Sequence, residues 1–420
     1  MTVSNSTLSR PSISSGERAT VFALVGSGHT VSHIYILTLP PLFPLIKAEF
    51  DFSYAALGLL VTAFHVTTGA LQVPAGFLVD RIGARATLIG GLMLAAICIG
   101  AIGLVDDYAV MFALALLAGA GNSVFHPADY AVMAAAVEEQ HLGKAFGFHL
   151  MTGNLGFMVT PALMVALASL WDWRVALVAV GGLGVAVAVA MLLFGHVLRA
   201  DRAVPGKKKA SGAATGARVL TSGPVLTMLL FFVLVALVTA GMQTFAVTAL
   251  VDMHGISLTA ANAGLTAFLV GGFLGVILGG FVADGLQRPA ITVTGTMVAA
   301  AVCLALVGMI NLPTAALIAV LGLAGTLIGI MRPARDMMVN SITPPGTTRK
   351  VFGFVSTGLS AGSAIAPVAL GWIVDLGAPG WVFALIVGFI LTSIVIATVA
   401  DRMAGGAREA NLRAAGTPAE

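Results

Sequence analysis

Twelve apolar runs, each long enough to cross a bilayer as a helix, occupy this chain almost from end to end. About 20 apolar residues in a helix span the roughly 30 Å hydrocarbon layer. With Gly/Pro clusters and charges as punctuation, the runs fall at 20–46, 54–78, 86–105, 109–137, 144–170 and 173–198, then at 223–250, 259–283, 289–310, 314–342, 351–374 and 380–400. Hydrophobic residues make up 58% of the chain and charged residues 9%, whereas a soluble domain carries about 25% charged residues. So few charges cannot cover a water-soluble surface, and a β-barrel would show short alternating segments instead of long runs. The expected fold is an all-α integral membrane protein with twelve transmembrane helices.

The remaining charges predict its orientation. Both tails, the even-numbered connections and a Gly/Ala/Ser-rich stretch at 199–222 hold Arg10, Arg18, Arg81, Arg85, Lys144, Arg199, Arg202, Lys207, Lys208, Lys209, Arg218, Arg288, Arg349, Lys350, Arg402, Arg408 and Arg413. The odd-numbered connections hold Lys47 and Arg174. The positive-inside rule then places both termini and the 199–222 linker in the cytoplasm of a multi-pass protein of the inner (plasma) membrane. Trp171, Trp173 and Trp381 lie at span ends, where amphipathic rings favour the interface. The net charge of +3 is spread between apolar blocks and predicts no nucleic-acid partner. Cys98 and Cys303 sit in mid-run and read as core residues. The first nineteen residues are polar, without a cleavable signal pattern, so the first apolar helix is expected to direct insertion.

The chain also repeats itself. At an offset of about 206, His126-Pro127-Ala128 lies on Arg332-Pro333-Ala334, Lys144 on Lys350, Phe146-Gly147-Phe148 on Phe352-Gly353-Phe354, Gly156 on Gly362 and Pro161 on Pro367. At an offset of about 204, Thr62-Ala63-Phe64 lies on Thr266-Ala267-Phe268, and Gly76, Phe77 and Asp80 lie on Gly280, Phe281 and Asp284. Each copy has an even number of helices, so the halves are parallel and related by an axis along the membrane normal. The expected division is an N-terminal tail 1–19, a six-helix bundle 20–198, a linker 199–222, a second pseudo-symmetric six-helix bundle 223–400 and a C-terminal tail 401–420.

Between the second and third runs the chain reads Gly76-Phe77-Leu78-Val79-Asp80-Arg81-Ile82-Gly83-Ala84-Arg85. This resembles the G-x-L-a-D-r-x-G-r-k signature of the major facilitator superfamily (MFS), with a weaker echo at Gly280-Phe281-Val282-Ala283-Asp284. The resemblance covers essentially the whole chain apart from tails and linker, and departs at Ala84, where the family carries a base. It implies the MFS fold, secondary transport by alternating access, and a gate in which Gly76, Asp80, Arg81, Gly83, Arg85 and Asp284 latch the cytoplasmic side of the outward-open state. Small glycines permit close backbone approach, and Asp80 is placed to cap a helix N-terminus in the opposite bundle. Arg81 and Arg85 also read as plain positive-inside anchors with Asp80 a solvated turn residue, although the spacing favours the latch.

Several polar residues lie well inside the runs. Arg332, Arg335 and Asp336 share one face of the tenth, and His126, Asp129 and Tyr130 one face of the fourth. A charge at a helix centre costs roughly 2.5–3.5 kcal/mol on insertion scales, so these residues must face the protein interior. The resemblance implies that helices 1, 4, 7 and 10 line the central cavity, which puts both clusters on cavity helices. Arg332 suits an anionic substrate through its planar fork, with Asp129 and His126 as proton-coupling groups and Arg335 and Asp336 as electrostatic support. The competing reading pairs Arg332 with Asp336 and Asp129 with Arg335 as structural latches. His33, His126, Asn122, Gln243 and Tyr130 complete the candidate substrate contacts, and Thr244 and Asn154 offer further polar groups. Their alternative role is hydrogen bonding between helices. His29 and His33 are spaced i, i+4 on the first helix, and His65 and His149 lie in the second and fifth; a proton relay through them to His126 competes with ordinary packing. No carboxylate or Cys accompanies the helix 1 pair, so no metal is expected. Pro127, Pro161, Pro333 and Pro367 stand at repeat-matched sites and predict kinks.

An exporter signature is degraded here: Leu114-Ala115-Leu116-Leu117 lacks an Arg, and Gly156 to Pro161 keeps only its Gly and Pro. Phe125-His126-Pro127 and Gly153-Asn154-Leu155-Gly156 are locally similar to the fosmidomycin-resistance branch. The expected function is proton-coupled secondary transport of a small organic solute, an anion such as a carboxylate. The alternatives are a drug-like compound efflux pump and a non-transporting MFS-like sensor. The protein is expected to be a monomer in the lipid bilayer that needs no cofactor beyond a proton gradient. No nucleophile and base pair, phosphate loop or metal set marks an enzyme.

Overall fold

A backbone in hydrocarbon must satisfy its own hydrogen bonds, which leaves helices or closed barrels. The computed structural model describes residues 14–198, 219–285, 289–343 and 347–414, and among them the regular structure is entirely helical. The N-terminal half contains α1 (Ser15–Leu37), α2 (Phe43–Phe50), α3 (Tyr54–Ile82), α4 (Ala84–Ile102), α5 (Tyr108–Asn122), α6 (Phe125–Ala136), α7 (Leu142–Leu170) and α8 (Trp173–Phe194). The C-terminal half contains α9 (Gly223–His254), α10 (Leu258–Gly285), α11 (Pro289–Met309), α12 (Thr314–Ser341), α13 (Thr348–Asp375) and α14 (Gly380–Ala414). Twelve spans are long and apolar enough to cross a membrane, with α5 and α6 forming one of them. Residues 1–13, most of the 199–222 linker with its six bases, Arg288 and residues 415–420 lie outside the described residues, as does the side chain of Asp284.

Three boundaries depart from the sequence reading. The first run extends to residue 46, but its helix ends at Leu37, followed by a 3₁₀ turn at Pro40–Leu42 and the short α2. Pro40 and Pro41 have no N–H to return to the carbonyls of Ile36 and Leu37, so the helix cannot continue. The fourth run is broken between Asn122 and Phe125, because Pro127 cannot donate to the carbonyl of Ser123 and its ring crowds that group. α7, α12 and α13 by contrast run through Pro161, Pro333 and Pro367 without a break. The last helix passes residue 400 and continues to Ala414.

Packing reproduces the internal repeat. α1 packs on α7 and α8, as α9 packs on α13 and α14; α4 packs on α5 and α8, as α11 packs on α12 and α14; α3 packs on α5, as α10 packs on α12. The two bundles meet through α3 with α13 and through α7 with α10, the same pair of helices with the roles of the halves exchanged. Cys98 and Cys303 are buried free thiols, as their positions suggested.

Glycines set the closest helix contact. Along the α10–α12 seam a Cβ on Gly271, Gly275 or Gly325 would run into a facing backbone carbonyl, and one on Gly329 would lie 2.8 Å from the Cα of Gly275. Without apolar–water contrast in lipid, such backbone contact is what holds helices together. Gly329→Leu is therefore expected to lower the thermal midpoint in detergent, since overpacking costs about 1–3 kcal/mol. Gly280→Ala, which meets nothing within 4 Å, should leave it unchanged; equal midpoints for the two variants would contradict the seam's role.

Candidate functional site

Where the bundles face one another, a cavity of about 60 Å³ is lined by Arg332 from α12, Gln243 and Thr239 from α9, Asn154 and Phe157 from α7, and Phe268 from α10. The guanidinium of Arg332 makes no hydrogen bond or ion pair among the described residues. Arg335 takes the acid instead: its Nε donates to Asp336 Oδ1 at 2.9 Å, its Nη2 lies 2.8 Å from the same oxygen as an ion pair, and its guanidinium lies 4.3 Å from the Phe232 ring centroid. The Arg332–Asp336 and Asp129–Arg335 pairs of the competing reading are thus not formed. Arg332 is left as a cation facing a polar and aromatic pocket.

A second cluster lies within the N-terminal bundle, where α1, α6 and α7 converge. Asp129 is fully buried, and neither carboxylate oxygen has a hydrogen-bond partner. Its Oδ2 lies 3.7 Å from Nδ1 of His149, itself fully buried. His149 stacks on His29 with centroids 3.5 Å apart, and His126 stands edge-on to both, at 5.7 Å from His29 and 5.9 Å from His149. Tyr130 packs beside His126 and His149. His33 touches His29 on one side and Phe157, a cavity residue, on the other. His65 on α3 stands apart, against Phe64.

The remaining candidates are dispersed. Gln243 reaches the cavity, whereas Asn122 is buried away from it, its Oδ1 accepting a hydrogen bond from Ser32 at 2.7 Å. Thr244 is also buried and donates to the Ala240 carbonyl within its own helix. Asn154 lines the cavity while its amide donates to Leu150 O at 2.8 Å.

The end of the bundles carrying the α3–α4 turn is here termed the motif end. Gly83 makes that turn at φ 87°, in the region open to glycine. Gly76 packs near Pro127 of the same bundle, and Arg85 Nη2 donates to Leu192 O at 2.7 Å, also within the bundle. Asp80 and Arg81 are exposed, and Asp80 makes no hydrogen bond or ion pair among the described residues. The expected carboxylate cap between bundles does exist, but at the far end. Asp375, at the close of α13, accepts from the backbone amides of Tyr54 and Ala55 at 2.7 and 2.8 Å, capping α3 of the opposite bundle. Thr62 Oγ1 donates to Ala364 O at 2.7 Å beside it, and Gly371 lets α13 approach the Tyr54 carbonyl. The bundles are tied at the far end, while at the motif end Asp80 has no partner among the described residues.

The far end is braced further by an ionic knot. Glu49 on α2 accepts from Trp173 Nε1 at 2.6 Å and from Arg174 Nε and Nη2 at 3.1 and 2.8 Å, while Arg174 also pairs with Asp106. Trp173 is therefore a buried donor instead of an interfacial anchor, whereas Trp171 and Trp381 are exposed. The Trp173 hydrogen bond, followed by those from Arg174, holds the Glu49 carboxyl below its ordinary value.

A model of the Major Facilitator Superfamily matches residues 21–260 and 233–418. The chain belongs to this superfamily. It is a multi-pass membrane transporter of small solutes and not an enzyme. The fosmidomycin resistance protein of Escherichia coli (strain K12) is 25% identical over 283 residues, covering 64% of this chain and 67% of that protein. The hexuronate transporter of the same strain is 22% identical over 179 residues, covering 43% of this chain and 41% of the transporter. Among solved structures, a bacterial homologue of the human lysosomal transporter Spinster, inward-facing and unoccupied, superposes with a TM-score of 0.75 at 16% identity, covering 93% of this chain and 97% of that one. That likeness concerns the fold.

Asp375, Glu49 and the meeting of His29 with His149 escaped the sequence reading. The available signal was that His29, His33, His126 and His149 all fall in first-half spans, with Arg332 and Val355 standing at the repeat positions of His126 and His149.

Two outcomes follow at the far end. Asp375→Ala removes two charge-assisted hydrogen bonds, so a cysteine placed at Thr62, with Cys98 and Cys303 replaced by Ala, should react with a maleimide several-fold faster than in the otherwise native chain; equal rates would contradict the clamp. Because Glu49 is lowered on folding, its contribution is present above about pH 4.3, the unfolded carboxyl value, and is lost as pH falls through the lower folded value. Thermal unfolding in detergent should show this acid loss in the native chain and a reduced one in Glu49→Gln; identical pH profiles would contradict it.

Proposed function

We propose that this protein carries a small organic anion, such as a carboxylate, by alternating access, with protons driving the cycle. The observation that carries the reading is Arg332: a guanidinium on the inter-bundle cavity without an acid partner among the described residues, one turn from an Arg335 that Asp336 already neutralises. Such a cation in a low-dielectric site is completed by an anion, and its planar fork fits a carboxylate with two parallel hydrogen bonds. Gln243, Thr239 and Asn154 supply uncharged groups for the rest of the solute. The likeness to a hexuronate transporter, whose named solute class is a sugar carboxylate, supports the same substrate class.

Asp129 and His126 are the proton-coupling groups, with His149 beside Asp129 to share the proton. The positive-inside count makes the motif end cytoplasmic. The far-end clamp then closes the outer side, and this conformation is the one that exchanges solute with the cytoplasm. In the opposite state Asp375 releases α3, and Asp80 closes the motif end.

Solute flux in proteoliposomes under an imposed pH gradient tests this reading. Arg332→Ala should weaken anion binding about 10- to 100-fold, the equivalent of about 1.5–3 kcal/mol for a charged hydrogen bond, and Arg332→Lys should recover only part of it. Asp129→Asn should keep anion counterflow but lose acceleration by the gradient. Native-like accumulation in both Arg332→Ala and Asp129→Asn overturns the assignment. Uptake of cations or neutral lipophiles that survives Arg332→Ala would indicate a drug exporter, and binding without counterflow a sensor.

A further inference from the structure

We propose that His29, His126 and His149 form a binding site for a late first-row divalent cation, zinc above all, inside the N-terminal bundle. One ring nitrogen from each of these residues lies within 4.8 Å of the other two. Tetrahedral zinc with nitrogen ligands at 2.0–2.1 Å sets those atoms about 3.3 Å apart. The nitrogens therefore need to close by up to about 1.5 Å, and the His29 and His149 rings, now stacked with planes 9° apart, must rotate out of the stack so that both in-plane lone pairs meet at one point.

Four further observations point to a ligand. First, the relevant atoms are open: His29 Nε2, His126 Nδ1 and both ring nitrogens of His149 are buried without a hydrogen-bond partner. Unpartnered polar atoms are uncommon in a native interior, and here three neighbouring histidines each hold at least one. Second, the other nitrogen of His29 is already engaged, with Nδ1 2.9 Å from the His149 carbonyl. A carbonyl partner makes Nδ1 the N–H donor and turns the Nε2 lone pair toward the cluster, the arrangement by which metal-ligating histidines are oriented. Third, Asp129 lies behind His149, with Oδ2 3.7 Å from Nδ1. A carboxylate there favours ligation through Nε2 and offsets the cation's charge, as in carboxylate–histidine–metal triads. Fourth, Gly153 clears the space: a Cβ at that position would lie 2.8 Å from Cε1 of both His29 and His33.

Three imidazoles with an open fourth position match zinc, nickel or copper chemistry and are poor for magnesium or calcium, which take oxygen ligands. His126 is only half-buried beside the exposed Tyr130, so the fourth position has a route to solvent. The i, i+4 pair on α1 is not the metal pair. His33 points toward Phe157, and the second and third ligands come from α6 and α7. Occupancy would hold α1, α6 and α7 together and take His126 and the Asp129–His149 pair out of proton exchange, a consequence that rests on the coupling role proposed above.

The full chain, purified in detergent and stripped with EDTA, is titrated with Co²⁺, whose visible bands report tetrahedral nitrogen ligation, and then with competing Zn²⁺. One saturable site per chain is expected. His29→Ala and His149→Gln should each weaken it at least tenfold, Asp129→Asn about 10- to 100-fold, and His65→Gln should leave it unchanged. Zinc-edge X-ray absorption of the native chain, which needs no variant to fold, should show scattering from three imidazoles. Absence of a one-to-one site, native affinity in the His29 and His149 variants, or an oxygen-only shell each overturns the proposal. In proteoliposomes zinc should slow gradient-driven uptake, with at least tenfold more zinc needed in His29→Ala. Zinc bound at the three histidines with uptake unaffected would overturn the coupling roles of Asp129 and His126 while leaving the metal site standing.

Discussion

Ionic and imidazole groups inside a hydrocarbon layer are admissible only where protein or water encloses them, and the architecture follows from that restriction. Asp129, His29, His126 and His149 are carried by α1, α6 and α7, which pack on one another, and Arg332, Arg335 and Asp336 by α12, which packs on α10 and α11. Each charge has its own means of containment. Arg335 is neutralised by its neighbour Asp336 and stacked on Phe232; Asp129 is sealed against His149; Arg332 opens onto the cavity. Of these three, Arg332 is the charge without an acid partner among the described residues.

Gene duplication supplies the frame within which these roles diverged. His126 and Arg332 occupy equivalent positions one residue before matched prolines, so the same spot on paired helices holds a titratable ring in one half and a permanent cation in the other. The surrounding residues follow the difference: the first half gathers His29, His33, His149 and Asp129 around its copy, while the second surrounds Arg332 with amide, hydroxyl and aromatic groups. A symmetric fold thereby holds an imidazole and carboxylate cluster in one bundle and a cation on the inter-bundle cavity in the other, with α7 carrying both His149 and the cavity residues Asn154 and Phe157.

How far the sequence could be read depended on the range of the interaction. Span number, helical class and the inward placement of buried charges were legible, because hydropathy and insertion cost act residue by residue along the chain. The breaks after Leu37 and Asn122 were half-legible: the prolines were visible, but locating each break requires the carbonyl that the missing N–H would have served. Partner choice was illegible. Asp129 finds His149 in its own bundle instead of Arg335 across the interface, Trp173 is drawn inward by Glu49 124 residues away, and His29 meets the His149 carbonyl 120 residues away. Nothing local encodes such pairs. Even the adjacent Arg335–Asp336 bond went unforeseen, since neighbours on a helix point apart, and a long guanidinium lying over Phe232 brings the two together.

The clamp at the far end ties the two bundles through one helix, α3. A carboxylate capping a helix N-terminus across the bundle interface is strong only while the two bundles are in contact there, because the hydrogen bonds from Tyr54 and Ala55 and the dipole of α3 act over a turn at most. Asp375 satisfies that geometry now, with Gly371 and Gly58 removing the side chains that would keep α3 and α13 apart. Asp80, at the other end of the same helix α3, is exposed and has no partner among the described residues in the same conformation. A rigid rocking motion that brings Asp80 to a helix terminus of the opposite bundle must pull the N-terminus of α3 away from Asp375, since both carboxylates act through one helix 29 residues long. Asp375 and Asp80 therefore act on opposite ends of one helix, and a motion that closed the second cap would open the first to the extent that α3 moves as a unit across the Pro74 in its interior.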